Sequence, residues 1–272
     1  MPSALTAFAG GALFGLRCGT GDPEALLLHG WGRSSADLVE VAEPRSGEPL
    51  PAVSLDLPGF GASPAPPSAW GAAQYAEALV PMLAELGAPV VIVGHSFGGR
   101  VAVCLAAAHP ELVRGLVLCG VPLLARDDRP ARKPPLTYRA LRLAVRWRLV
   151  PEAKLEAARR RHGSADYAAA QGVMRDVLVR VVAERYEDEL RALRCPVVLV
   201  WGERDEDVPV SVAQRALELL HDGSLEVVDG ASHDVVREQP GIVRAALADL
   251  LARSAGCGTR RSSSSVPGPS CS

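Results

Sequence analysis

"VIVGHSFGGRVAV", Val91–Val103, changes character twice. Val91, Ile92 and Val93 are β-branched and apolar, the composition of a strand buried on both faces. From Arg100 onward the chain is a helix former's mix rich in alanine. Between the two lies Gly94-His95-Ser96-Phe97-Gly98, followed by Gly99, which fits G-x-S-x-G. A turn that tight strains the serine backbone, and small residues at the fencing positions avoid clashes. It lifts the Ser96 hydroxyl out of the sheet. The backbone N–H of Phe97, at the helix start, can then stabilise a developing oxyanion. In a chain with 26 glycines the pattern alone is weak. Its strand-to-helix context gives it weight.

A serine hydroxyl at its ordinary pKa is a poor nucleophile. It needs a base, and the base needs an orienting group. The chain offers both, each after a late apolar run. "VLVWGERDEDVP" puts Asp205 in a loop, with Asp207 two residues on as a competitor, and "LEVVDGASHDV" puts His233 in the next. Their order along the chain is Ser, Asp, His. His29 is expected to shape a loop through hydrogen bonds, and Asp56 to hold backbone amides. His95 reads as the variable position of the turn.

Other short apolar runs precede and follow the turn: "EALLLHG", "LPAVSLD", "VRGLVLCG", "CPVVLVWG" and "SLEVVDG". The N-terminal "MPSALTAFAGGALFGLRCG" lacks a positive flank and contains central glycines, so it reads as paired strands rather than a signal peptide. Residues Trp70 to Leu86 have helical spacing, with Tyr75, Leu79, Met82, Leu83 and Leu86 on one face. Nearly continuous apolar strands alternating with helices predict an α/β fold, a mostly parallel sheet covered on both faces. Ligands of such sheets bind at the carboxyl ends of the strands.

From Pro122 to Leu193 the alternation stops and helical patterns dominate. The expected organisation is a core from 1–121 and 194–253, a helical cap insertion at 122–193, and a tail at 254–272 rich in Ser, Gly and Pro, expected to be disordered. The first part of the insertion is basic, with Arg126, Arg129, Arg132, Lys133, Arg139, Arg142, Arg146, Arg148, Lys154, Arg159, Arg160 and Arg161. Trp147 and Tyr138 are candidates for a pocket lining beneath it, or simple packing.

The chain has 272 residues, 48% hydrophobic and 22% charged. Lys and Arg number 29 against 31 Asp and Glu, and aromatics are 4%, which argues against a nucleic-acid binder. No apolar run is long enough to predict a membrane span. None of the six cysteines forms a C-x-x-C pair, which argues against a zinc site, and nothing in the sequence requires a metal or organic cofactor. Most lie in apolar segments, which suits a reducing, cytoplasmic compartment.

Five pieces in order carry a resemblance: His29-Gly30-Trp31-Gly32, "DLPGFGAS" (Asp56–Ser63), the serine turn, Gly202-x-x-Asp205-x-x-x-Pro209, and Gly230-x-x-His233. The chain resembles the α/β-hydrolase superfamily over all but its tail. The resemblance implies an α/β-hydrolase fold with a helical cap, a nucleophile elbow, and a catalytic triad of Ser96, Asp205 and His233, Asp205 being favoured over Asp207 by spacing. It implies an oxyanion hole formed by the N–H groups of Trp31 and Phe97. Dehalogenases and epoxide hydrolases of this superfamily carry Asp at the elbow, which Ser96 argues against. "HGWG" and "DLPGFG" are similar to carboxylesterases that cleave the methyl ester of a carrier-protein-bound acyl chain. A basic cap would suit an acidic acyl carrier protein. His95, however, stands where that group tends to have Trp. "SFGGR" resembles instead a lyase of this fold, so a carbon–carbon bond hydrolase or lyase acting on an anionic substrate stays open. So does a ligand receptor that retains the triad. The leading expectation is a serine esterase acting on a small-molecule ester or thioester.

Overall fold

The computed structural model describes residues 4–125 and 165–258, and between them only 144, 145, 147, 150 and 151. The apolar runs form one eight-stranded sheet: β1 Ala4–Phe8, β2 Leu13–Cys18, β3 Ala25–Leu28, β4 Ala52–Asp56, β5 Val90–His95, β6 Val113–Cys119, β7 Val197–Gly202 and β8 Gly223–Val228. Their order is β1-β2-β4-β3-β5-β6-β7-β8. Strand β2 runs antiparallel to β1 and β4, and the remaining pairs are parallel. The N-terminal stretch is therefore a strand pair, as expected.

Alternation along each strand divides the core. Leu26, Leu28, Ile92, Leu116 and Leu199 belong to one buried cluster, and Leu27, Val91, Val93, Val117 and Val200 to the other. A strand whose successive side chains both enter a core must be apolar throughout, as these are. The first cluster is covered by α2 (Ala72–Leu86) and α3 (Phe97–Ala108). The second is covered by α1 (Val39–Ala42) and by the last helix of the described chain (Pro240–Gly258). On α2 the stripe of Tyr75, Leu79, Met82, Leu83 and Leu86 is buried, and the helix ends at Gly87 in the left-handed region (φ 74°).

The helical stretch is broken more often than its pattern suggests. It forms α4 (Ala165–Ala169), α5 (Gly172–Ala183) and α6 (Glu187–Ala192). Gly172 has φ +52°, and Glu184 is extended, so neither junction continues a helix. These helices are tied to the rest. The Glu184 carboxylate accepts the Ala72 N–H (3.0 Å) at the start of α2, and Arg180 donates to the Ala69 carbonyl (2.8 Å). The twelve basic residues expected in the insertion, and Tyr138, lie outside the described residues. Trp147 is exposed (69%) and does not line the cavity described below.

Helix α7 is Val210–Leu217, α8 is Val235–Glu238, and α9 is Pro240–Gly258. Helix α9 runs past residue 253, so the first residues of the expected tail are helical; 259–272 lie outside the described residues. Among the described residues no helix is long and apolar enough to cross a membrane.

Asp56 ends β4 almost wholly buried, its two oxygens accepting the N–H groups of Ser35 (2.7 Å) and Ala62 (2.9 Å). This is the structural role expected for it. Asp56→Ala loses two charge-assisted bonds and orphans two donors. Stability should fall by about 3 kcal/mol in urea unfolding. A midpoint unchanged from the parent protein would show that these bonds contribute nothing.

Candidate active site

The structure brings Ser96, His233 and Asp205 together at the carboxyl ends of β5, β8 and β7. Ser96 follows β5 with φ 47° and ψ −107°, in the region that L residues avoid. The close approaches explain the glycines. A Cβ on Gly94 would stand 2.5 Å from the Gly99 Cα, and one on Gly98 would strike the Leu28 and His29 carbonyls. With both positions bare, the Gly98 N–H donates to the His29 carbonyl (3.0 Å), and the Ser96 N–H to that of Cys119 (2.9 Å).

His233 lies in the loop after β8. Its Nδ1 is 2.8 Å from Asp205 Oδ2, and its Nε2 is 3.1 Å from Ser96 Oγ. A carboxylate only accepts, so Nδ1 carries the proton and Nε2 is left to accept from the serine hydroxyl. The other Asp205 oxygen accepts the Val208 N–H (2.7 Å), and the side chain is fully buried. Asp207, the competing carboxylate, lines the cavity and adds to the negative potential at His233. Burial is the largest single influence on His233 and opposes its charge. The hydrogen bond and charge of Asp205, with Asp207 and Asp234, together outweigh it and hold the pKa above the ordinary 6.5.

Phe97 is the first residue of α3, so its N–H has no acceptor within the helix. Trp31 follows β3 and lines the same cavity as Ser96. Their rings meet edge to face (centroids 5.4 Å, 73°), and Phe60 packs on Trp31 at 5.0 Å. The loop that carries Trp31 is fixed from below. His29, fully buried, donates from Nδ1 to the Gly30 carbonyl (2.7 Å) and accepts the Leu57 N–H at Nε2 (3.0 Å). Burial lowers the His29 pKa, and the imidazole stays neutral as this pattern needs. His29 therefore has the loop-shaping part expected of it.

Above these groups is a cavity of about 680 Å³. Trp31, Phe97, Leu178, Val181 and Val208 form apolar walls, and Asp166, Asp207 and Asp234 place carboxylates on its lining. Arg100 also lines it, largely buried, donating to the Val181 carbonyl of α5 and stacked 5.9 Å from the Tyr186 ring. Its Nε has no partner among the described residues. Among those residues no cluster of His, Cys, Asp and Glu is placed to hold a metal ion.

Four elements of the site were not foreseen. Gly120, after β6 with φ 56°, lies under the His233–Asp205 bond, where a Cβ would come within 3.0 Å of His233 Nδ1. Arg33 bridges Asp234 (2.5 Å) and Asp37 (3.4 Å). Glu238 receives the N–H and hydroxyl of Ser232 (2.7 and 2.6 Å). His95 donates to the His233 carbonyl (3.0 Å). A glycine after an apolar strand was the one available signal, and it is a common one.

Residues 25–246 match the model of the alpha/beta hydrolase family. The chain belongs to that family. Among curated relatives, this α/β hydrolase is 30% identical over 234 residues to a pimeloyl-[acyl-carrier protein] methyl ester esterase of Chromobacterium violaceum, covering 78% of this chain and 87% of that one. It is 30% identical over 236 residues to the protein of the same name from Aeromonas hydrophila, covering 78% and 88%. An esterase from Exiguobacterium antarcticum superposes with a TM-score of 0.66 at 17% identity, over 92% of this chain and 99% of that one, which speaks to fold alone.

In an imidazole NMR titration the His233 pKa should lie above 6.5, since protonation there gains the Asp205 charge. Asp205→Asn removes that charge and should lower it by about one unit or more. A value at or below 6.5 that the substitution leaves unmoved would contradict the electrostatics given above.

Proposed function

We propose that this α/β hydrolase is a carboxylic-ester hydrolase working through an acyl-enzyme. The observation that carries the reading is the hydrogen-bond chain Ser96 Oγ–His233–Asp205, at 3.1 and 2.8 Å, opening into the cavity. Esterase names among relatives that cover most of the chain support an ester substrate.

In this mechanism His233 Nε2 takes the Ser96 proton as Oγ attacks the ester carbonyl carbon. Asp205 holds the ring in the accepting tautomer and stabilises the imidazolium. The carbonyl oxygen becomes an oxyanion held by the N–H groups of Phe97 and Trp31. Collapse expels the alkoxide, which takes the proton from His233, and leaves Ser96 acylated. Water, deprotonated by the same imidazole, attacks the acyl carbon. The second collapse returns the proton to Ser96 and releases the acid. No step calls for a cofactor.

The substrate is a small molecule whose acyl part lies along the apolar walls of Trp31, Phe97, Leu178 and Val181. Within the segment expected to be a cap, the described helix α5 is read as covering the site, since Leu178 and Val181 share a cavity with Ser96. An acyl group delivered by an acidic acyl carrier protein is consistent with the relatives' names and with the basic residues of that segment. The buried thiols of Cys104 and Cys119 suit a reducing, cytoplasmic setting.

A second reading, cleavage of a carbon–carbon bond in an anionic substrate, draws on Arg100, a buried cation in the cavity wall whose Nε has no hydrogen-bond partner among the described residues. An activity panel of p-nitrophenyl esters, thioesters and carboxylate-bearing vinylogous diketones separates the two. Ester turnover without diketone cleavage is expected, and the reverse would replace the first reading by the second. Turnover of either class sets aside a receptor role.

Ser96→Ala should lower hydrolysis of a short p-nitrophenyl ester by about 10⁴-fold or more and abolish labelling by a fluorophosphonate. Undiminished labelling of the variant would overturn the assignment of the nucleophile.

A further inference from the structure

His95 takes no part in the proton path above, yet it is only 4% exposed and borders the same cavity. It is the last residue of β5, directly before the nucleophile. Its Nε2 is 3.0 Å from the main-chain oxygen of His233, and the two rings lie 5.1 Å apart, tilted by 48°. A carbonyl only accepts, so Nε2 carries the proton. The opposite edge of the ring faces Gly30, where a Cβ would come within 2.8 Å of Nδ1. One imidazole thus touches the loop that bears His233, the loop that bears Trp31, and, through its own backbone, Ser96.

We propose that His95 is a positioning residue: its Nε2–H clamps the main chain of His233, and its ring abuts Gly30, setting base and oxyanion loop against the nucleophile. This rests on the reading of His233 as the general base. The flanks of the His233 loop have other ties, Ser232 to Glu238 and Asp234 to Arg33, but these are partly exposed. The bond from His95 reaches the residue that must move the proton. The groups facing it are His233, Asp234, Arg33 and the backbone at Gly30. Burial above all, then the His233 and Arg33 charges, push its pKa down to about 4. It therefore stays a neutral donor across the range in which His233 titrates, and it does not compete for the serine proton.

The requirement is for a donor of this reach, which gives a clean comparison. Glutamine and methionine are close in length and shape, and only glutamine donates. In the full-length protein His95→Met should lower kcat about 10- to 100-fold, the effect of misplacing a reacting group by about 1 Å, with KM within about twofold of the parent. The fluorophosphonate labelling rate should fall in parallel. His95→Gln should restore kcat to within about threefold of the parent. Equal kcat for the Met and Gln variants, or a loss confined to KM, would overturn the inference, because packing alone would then account for the residue. Thermal unfolding of both variants shows that like is compared with like. Should His95→Met fail to fold, His95→Phe serves as the donor-free member. Ser96→Ala is measured beside them. Persistent turnover in that variant overturns the hydrolase mechanism itself. With Ser96→Ala inactive, a failed Met–Gln comparison overturns only the part given to His95.

Discussion

Helix α3 starts one residue after Ser96, and the site depends on how close that start comes to the ends of β3 and β5. The Gly98 N–H reaches the His29 carbonyl at 3.0 Å, which no side chain at Gly98 would permit. Ser96 is left with φ 47°, a strain of about 1–3 kcal/mol. The surroundings over-determine it. Every residue of α3 from Phe97 to Ala106 is buried, and the helix is held between α2 and the sheet. The strain is thereby fixed in the fold, by the same contact that sets the first turn of α3 beside the cavity.

Three histidines surround this point, and their environments divide them. His29 and His95 are buried, and both lie below their ordinary pKa. Each carries one proton, placed by the acceptor it meets. His233 alone has a buried carboxylate on its ring, and it alone is shifted upward. Basicity is thus concentrated in the imidazole that faces Ser96.

Local features were readable from the residues. Strands β3 to β7 are short and apolar because both their faces are covered, whereas the edge strands β1 and β8 are largely exposed; the serine turn announces itself through glycines at close contacts. The family resemblance favours Asp205 over Asp207, and the structure puts Asp205 on His233 Nδ1. Hidden features are those that join distant positions. His95 and His233 lie 138 residues apart, Arg33 and Asp234 201 apart, and no periodicity relates them. Gly120 is a similar case, since its need for a bare Cα arises from His233 and Asp205 arriving from elsewhere. The breaks in the helical stretch were missed because Ala- and Val-rich pattern persists across Gly172 and Glu184, whose backbones leave the helical region.

Arg100 lies one turn into the helix that Ser96 begins, and it holds the Val181 carbonyl near the end of α5. A ligand too bulky for the space under α5 would have to lift that helix and leave a buried guanidinium short of an acceptor. The penalty for such a ligand is then electrostatic as well as steric, and it falls on the helix that begins at Ser96. The room available to a ligand and the setting of the strained Ser96 backbone are therefore coupled through one side chain.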